Sequence, residues 1–239
     1  MARNVNATAR CLQALTRQYE TITTNLSNAS TVGYKRRGGS FCRALDEELA
    51  RQDAAGGARR QAAIDLTQGS LTATGNTLDL AIDGKGFFVI ETPGGEMYTR
   101  SGSVRVNSGG RLVDSAGNSF AGEQGAIVLP PSSTSEDLSV GPDGGVSAGG
   151  QVLGRLRVVD FDDPGALDAA SETMFRAPQG AAKPANKFNV KQGYREQSNV
   201  NVVREMVDLI TVSRMYEANF KSMQKSGDSK DQLMRVAMA

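Results

Sequence analysis

The sequence predicts an α+β fold in which paired N- and C-terminal coiled-coil-like helices flank a central antiparallel β domain. Three observations predict it. Val5, Leu12, Tyr19 and Leu26 recur seven residues apart, with Thr8, Leu15, Ile22 and Ala29 in the complementary positions. The same period returns near the other end in Val202, Leu209, Tyr216 and Met223, with Met206, Ser213 and Phe220 in the alternate register. Between about Leu71 and Gln192 the heptad texture gives way to short alternating runs separated by glycine-rich turns.

Taken in order, the N-terminal helix should run from a cap at Asn4 or Asn6 to about Asn28. The stretch Asn28-Ala29-Ser30-Thr31-Val32-Gly33-Tyr34-Lys35 ends it, because short polar side chains compete for backbone hydrogen bonds before a glycine able to take positive φ. Lys35 to Arg37 reads as a solvated basic run. Phe41, Leu45 and Leu49 suggest a short helix, and Ala54 to Arg60 a linker. Asp46, Glu47 and Glu48 read as solvated acids on that segment.

The β region opens with Leu78 to Ile82 and Gly86 to Ile90, joined by a turn at Gly84-Lys85-Gly86. That turn lacks the frame of a phosphate loop. Gly94-Gly95 leads into Met97 to Arg100, and further strands are expected at Ser103 to Val106, Arg111 to Val113 and Ala126 to Leu129. Leu138 to Val140 and Gly145 to Ser147 flank another turn, and Val152 to Phe161 is the longest strand candidate. Asp160 to Asp163 has neither the loop spacing nor the terminal Glu of an EF-hand and reads as a strand end. The C-terminal helix carries the seam from Ser198 to Met223, and Gly227 interrupts its last turns. Val203, Ile210 and Met215 lie outside the strict seam and widen the apolar face, which predicts more than one neighbour for this helix. The segments expected are thus an N-terminal axial helix (1–34), an extended linker (35–70), the β-rich domain (71–192) and a C-terminal axial helix (193–239).

Composition narrows the chemistry. The 239 residues contain no histidine, which removes Ser-His-Asp and Cys-His catalysis and the commonest zinc sites. The net charge of +1 is uneven: residues 1–60 hold ten Lys or Arg against five Asp or Glu, and residues 61–200 eleven against sixteen. The basic residues are dispersed and lack interleaved aromatics, so a solvated or subunit-facing surface is expected and not a nucleic-acid site. No apolar run is long enough to span a membrane, and the N-terminus lacks a signal-peptide core. Cys11 and Cys42 have no metal-ligand spacing, and whether they pair is left open. No cofactor or metal is expected.

Three motifs add up to a resemblance. Asn25-Leu26-Ser27-Asn28 through Thr31, Gly33, Tyr34 and Lys35 resembles the N-terminal signature of the flagellar basal-body rod and hook proteins. Leu78-Asp79-Leu80-Ala81-Ile82-Asp83-Gly84-Lys85-Gly86-Phe87-Phe88, followed by Tyr98-Thr99-Arg100-Ser101-Gly102, is similar to their central motif. Ser198-Asn199-Val200-Asn201, Glu205 to Ile210 and Arg214 to Asn219 are similar to their C-terminal block. The resemblance implies a non-enzymatic subunit of the rod, of proximal type, with distal rod or hook-type axial protein as the alternative. It implies other rod and hook subunits as partners, export through the flagellar type III apparatus without a cleaved signal, and assembly in the basal body beyond the inner membrane. The expected assembly interface is Val5, Leu12, Leu15, Tyr19, Ile22, Leu26 and Asn28 with Val202, Met206, Leu209, Ile210, Tyr216, Phe220 and Met223. A reading of another class, a wall-active glycan hydrolase, would need two carboxylates flanking a cleft, and Glu91 and Glu96 are the nearest pair.

Overall fold

The computed structural model describes residues 2–38, 64–131 and 133–237, with side chains described for 10–38, 64–131, 133–135, 137–163 and 165–225. Helix α1 spans Ala2–Ser27. Its threonines are accommodated by back-bonding: Thr16, Thr21, Thr23 and Thr24 each donate to the carbonyl four residues earlier, at 2.7–3.0 Å. Strands β1 (Leu71–Ala73), β2 (Asp79–Gly84), β3 (Phe87–Thr92) and β4 (Gly95–Thr99) open the β region. β5 (Gly102–Ser103), β6 (Arg105–Val106), β7 (Leu112–Val113), β8 (Ser119–Gly122) and β9 (Gly125–Ala126) are shorter. β10 (Leu138–Val140), β11 (Gly145–Ala148), β12 (Gln151–Arg155) and β13 (Val158–Phe161) follow. β14 (Asp168–Ala169), β15 (Met174–Arg176), β16 (Ala182–Pro184), β17 (Phe188–Gln192) and β18 (Tyr194–Glu196) complete the set before helix α2 (Val202–Ala237).

The chain divides into two compact units. One consists, in its described parts, of residues 2–27, 37–38 and 200–237, and the other of 28–36 and 64–199 apart from residue 132. The β unit contains several antiparallel sheets. The largest runs β14-β15-β4-β3-β8-β7-β6, with β13 joining β3 to β16 and β9 beside β8. Three-stranded sheets β17-β2-β5 and β10-β11-β12 and the pair β1-β18 stand beside it in the hydrogen-bonding scheme.

β3 organises this unit because both of its faces are buried. Phe88 and Ile90 face a core with Leu80, Ile82, Leu112, Phe120 and Leu156, while Phe87 and Val89 face a second core with Tyr98, Phe161 and Phe175. The rings meet edge to face: Phe88 and Phe120 at 5.9 Å, Phe87 and Phe175 at 5.8 Å, Tyr98 and Phe161 at 4.9 Å. The turn expected at Gly84-Lys85-Gly86 connects β2 and β3, with Gly84 at φ 105° and Gly86 at φ 128°.

The predicted fold class needs correction. Among the described residues there is one helix at each end and eighteen short strands in several sheets, so the fold is mainly β, and terminal coiled-coil helices are not what the ends form. α1 and α2 touch through a small apolar patch of Leu15, Ile22 and Val212, with Cys11 and Leu209 against it. Polar Gln18, Asn25, Glu205 and Asn219 continue the line of that patch, whereas a coiled-coil seam requires sustained apolar a and d positions.

Other elements shift as well. α1 begins at Ala2, upstream of both proposed caps. The run from Val152 to Phe161 is two strands in two sheets, β12 pairing with β11 and β13 with β3 and β16. The break lies at Leu156 and Arg157, whose amides leave the strand to donate to Gly144 O at 2.8 Å and Ala121 O at 2.9 Å. α2 continues through Gly227. The helix suggested by Phe41, Leu45 and Leu49, the linker at Ala54 to Arg60, the acids Asp46 to Glu48 and Cys42 lie outside the described residues.

Truncating a ring of the double-faced strand should be expensive. Phe88→Ala is expected to destabilise the β unit by about 3–5 kcal/mol, whereas Val152→Ala, at a site 78% exposed, should stay within about 0.5 kcal/mol of wild type. Urea unfolding followed by far-ultraviolet circular dichroism checks the contrast.

Candidate functional site

The helix unit is built as an antiparallel pair. The Cys11 thiol approaches Asn219 Oδ1 at 3.7 Å, and Asn25 Nδ2 donates to Glu205 Oε2 at 3.1 Å, so fourteen residues forward along α1 match fourteen backward along α2. At the helical rise this contact extends about 21 Å. α2 starts where Asn201 caps it, Asn201 Oδ1 accepting from the Arg204 amide at 3.1 Å. Asn25 also pairs with the backbone of Arg37 like a short strand, accepting from its amide and donating to its carbonyl, both at 2.9 Å. Cys11 is a free thiol, and burial pushes its pKa up.

Much of the expected interface is left uncovered within this unit. Leu15 and Ile22 are buried, and Leu12, Leu26, Leu209 and Met223 are half-buried. Tyr19, Val202, Met206, Ile210, Tyr216 and Phe220 are exposed, as are Val203, Val207 and Met215. Tyr216 and Phe220 stack with ring centroids 6.5 Å apart. The side chain of Val5 lies outside the described ones. Asn28 belongs to the other unit, where it is buried and its Oδ1 accepts from Thr31 Oγ1 at 3.0 Å. Large exposed apolar side chains at such a density are a common feature of interaction surfaces.

The β unit contains a second feature that the sequence reading missed. Lys35, expected to be solvated, has a fully buried side chain. Its ammonium donates to Glu196 Oε1 at 2.6 Å and to Thr67 O at 2.6 Å. Glu196, equally buried, also accepts from the Gly69 amide at 3.1 Å and from Arg100 Nη1 at 3.4 Å. Arg100 donates to Gly84 O at 3.0 Å and lies over the Phe87 ring at 5.0 Å. Asn199 tightens the same place, Oδ1 accepting from the Arg36 amide at 2.7 Å and Nδ2 donating to Asp65 O at 2.8 Å. Burial pulls Lys35 and Arg100 below their ordinary pKa ranges, and Glu196 partly opposes that in each.

Gly33 shows how closely the three motifs meet. It sits at φ 72°, its amide donates to Glu196 O at 2.8 Å, and a Cβ there would fall 2.4 Å from Ser101 N. Residues from the first motif (Gly33, Lys35), the central motif (Arg100, Ser101) and the edge of the third (Glu196, Asn199) thus form one junction.

Glu91 and Glu96, the pair a hydrolase would need, face each other across β3 and β4. Glu96 is held by Arg157 at 2.6 and 3.0 Å in a bidentate pair. Among the described residues no group of three His, Cys, Asp or Glu could hold a metal ion, and no helix is long and apolar enough to cross a membrane.

A β unit with its polar groups tied in, attached to a helix pair with its apolar groups left open, defines a structural subunit of a larger assembly. Comparison with known proteins is specific. Residues 191–236 match the family described as flagellar basal body rod FlgEFG protein C-terminal, and residues 81–148 the flagellar hook protein FlgE/F/G D1 domain. The chain is similar to the flagellar basal-body rod protein FlgG of Buchnera aphidicola subsp. Schizaphis graminum, 32% identical over 90% of this chain and 92% of that one. It is 31% identical to the FlgF rod protein of Caulobacter vibrioides over 90% of this chain and 89% of the relative. FlgG of Bacillus subtilis is 29% identical over 91% and 92%. The chain belongs to the flagellar basal-body rod protein family, and it is a structural subunit of the rod.

The junction makes two predictions. Removing one member leaves a buried charge uncompensated, so Glu196→Ala should cost about 3–5 kcal/mol in urea unfolding, and Lys35→Met less, because Arg100 remains beside Glu196. The pH dependence has a definite sign. With the folded Lys35 pKa lowered, the unfolded chain holds more protons between that value and the ordinary 10.5, so this group's contribution to stability rises with pH there. Lys35→Met should flatten that rise in unfolding midpoints measured across the interval, relative to wild type.

Proposed function

We propose that the chain polymerises through its terminal helices as a proximal-rod-type subunit of the hollow axial shaft. In this reading residues 1–34 and 193–239 are the axial segments, 71–192 form the outer β domain and 35–70 connect them. The observation that carries it is the exposed apolar surface of α2, above all Val203, Val207, Ile210, Tyr216 and Phe220. The expected interface residues Val5, Leu12, Leu15, Tyr19, Ile22, Leu26, Asn28, Val202, Met206, Leu209 and Met223 serve the same assembly, Leu15 and Ile22 by joining the two helices and the exposed ones by meeting neighbours. The partners are other rod and hook-family subunits. The route is the flagellar type III export apparatus without cleavage of a signal, and the destination is the periplasmic rod. The role is mechanical and not enzymatic, with Glu96 engaged by Arg157 and not presented to a substrate.

Membership of the proximal type is supported by Thr74-Gly75-Asn76 before the central motif and by Val152 to Val159 leading to Met174-Phe175-Arg176. The FlgG relatives favour the distal type as the second reading, at similar identity.

Ile210→Asp or Phe220→Asp places a charge where assembly would desolvate it without a partner, a penalty of several kcal/mol per site. Each variant is expected to be exported and to keep its β-type circular dichroism, yet to fail to enter the rod and to leave cells without filaments. Electron microscopy of isolated basal bodies and a motility assay check this, and normal incorporation of either variant would remove the proposal's basis.

A further inference from the structure

We infer that the buried pair of Asn25 and Glu205 fixes the register of α1 on α2, so that every copy of the chain covers the same side chains and leaves the same ones open. The inference concerns the single chain and stands apart from the assembly reading. Asn25 and Glu205 are 1% and 0% exposed, and they lie one turn beyond Ile22 on α1 and Leu209 on α2. The apolar patch alone does not choose a register. Leu15 and Ile22 stand seven residues apart on α1, as do Leu209 and Tyr216 on α2. Sliding one helix along the other by two turns, about 10 Å, therefore sets apolar side chains opposite apolar ones again.

The polar pair breaks that degeneracy. The contacts of Cys11 with Asn219 and of Asn25 with Glu205 place Gln18 level with Val212, seven residues from each. A two-turn slide in one direction would set the Asn25 amide against Val212 and carry Glu205 past Ser27, the end of α1. In the other direction Glu205 would meet Gln18, but Asn25 would pass beyond Val202, where α2 starts. Either slide parts the Asn25 amide from its buried carboxylate, and a buried polar group left without its bond costs more than one apolar contact exchanged for another. Asn25 does not follow the slide, because both Oδ1 and Nδ2 are tied to the Arg37 backbone at 2.9 Å. Glu205 is equally placed: it lies in the first turn of α2, its amide donates to Asn201 O at 3.0 Å, and Asn201 caps the helix. The same first-turn position favours a carboxylate through the helix dipole. Asn25 and Glu205 are thus positioning residues, which select one packing of the helices over its alternatives and add little to their stability.

The test uses the full chain with Cys11→Ser and Cys42→Ser as background, serine keeping a donor toward Asn219. Spin labels on Glu20→Cys and Lys221→Cys, both exposed sites, read the axial offset of the helices by double electron-electron resonance. Excess unlabelled chain restricts the signal to distances within one copy. The background should give one distance. Asn25→Leu/Glu205→Leu should keep the helix pair, by far-ultraviolet circular dichroism and amide exchange of α1 and α2, yet add a second population displaced by several Å. Glu205→Gln, which still offers Asn25 a carbonyl oxygen, should retain the single distance. A single unshifted distance in the double variant would overturn the assignment, because the apolar patch would then set the register unaided. Loss of the helix pair in that variant would overturn it as well, since Asn25 and Glu205 would then supply stability and not choice. A split distance in Glu205→Gln would overturn the role given to the hydrogen bond from Asn25.

Discussion

Glu196 is the group on which the organisation of the β unit turns. A carboxylate with no exposed surface is tolerable only when its oxygens are satisfied, and here Lys35, Arg100 and the Gly69 amide do so together. Two cations share this one anion, and the Gly84 and Thr67 carbonyls, the Phe87 ring and the nearby Asp65 and Asp160 carboxylates offset the remaining charge. The arrangement is directional in a way that apolar packing is not. It specifies which segments meet, because only this set of partners compensates the buried charges. Lys35 comes eight residues after the end of α1 and Glu196 six before the start of α2, so the chain is anchored in this unit at both points where it changes from helix to sheet.

The remaining β structure supplies the rigid surroundings that such a cluster needs. β3 is buried on both faces and pairs with β4, β8 and β13, which fixes Phe87 beneath Arg100. Gly102, next but one to Arg100, packs so closely that a Cβ would fall 1.9 Å from Leu80 O. Asp79 in β2 is itself buried, accepting from Thr74 at 2.6 Å and ion-paired with Arg195 at 2.9 Å. Much of the central motif is thus explained: its apolar members fill two cores, its glycines permit close backbone approach, and Asp79 and Arg100 are internal partners, whereas Asp83 pairs with Lys191 at the surface and Lys85 is exposed.

The helix unit has the opposite character. α1 and α2 meet through a few apolar side chains and a line of polar ones, and α2 carries large apolar groups around most of its circumference. A surface helix of a self-sufficient domain has one apolar stripe, whereas an apolar helix all round belongs in a core. On the proposed reading, neighbouring subunits supply the missing part of that core.

The sequence by itself determined a helix at each end with β texture between them, the glycine turn at Gly84 to Gly86, a glycine able to take positive φ at Gly33 and the family, because these depend on local spacing and on motif residues read directly. It also identified α2 as a helix with more apolar surface than one neighbour can cover. It could not determine that Lys35 is buried, since a charged side chain is solvated by default and only a partner 161 residues away makes burial tolerable. Nor could it divide Val152 to Phe161 between two sheets, because strand propensity is continuous across Leu156 while the hydrogen-bond partners change. The helix ends were misjudged as coiled coil for the same reason. A heptad stripe records which residues are apolar, and only tertiary structure decides which of them face a partner in the same chain, where Gln18, Asn25, Glu205 and Asn219 turn the seam polar and leave the rest of the stripe uncovered.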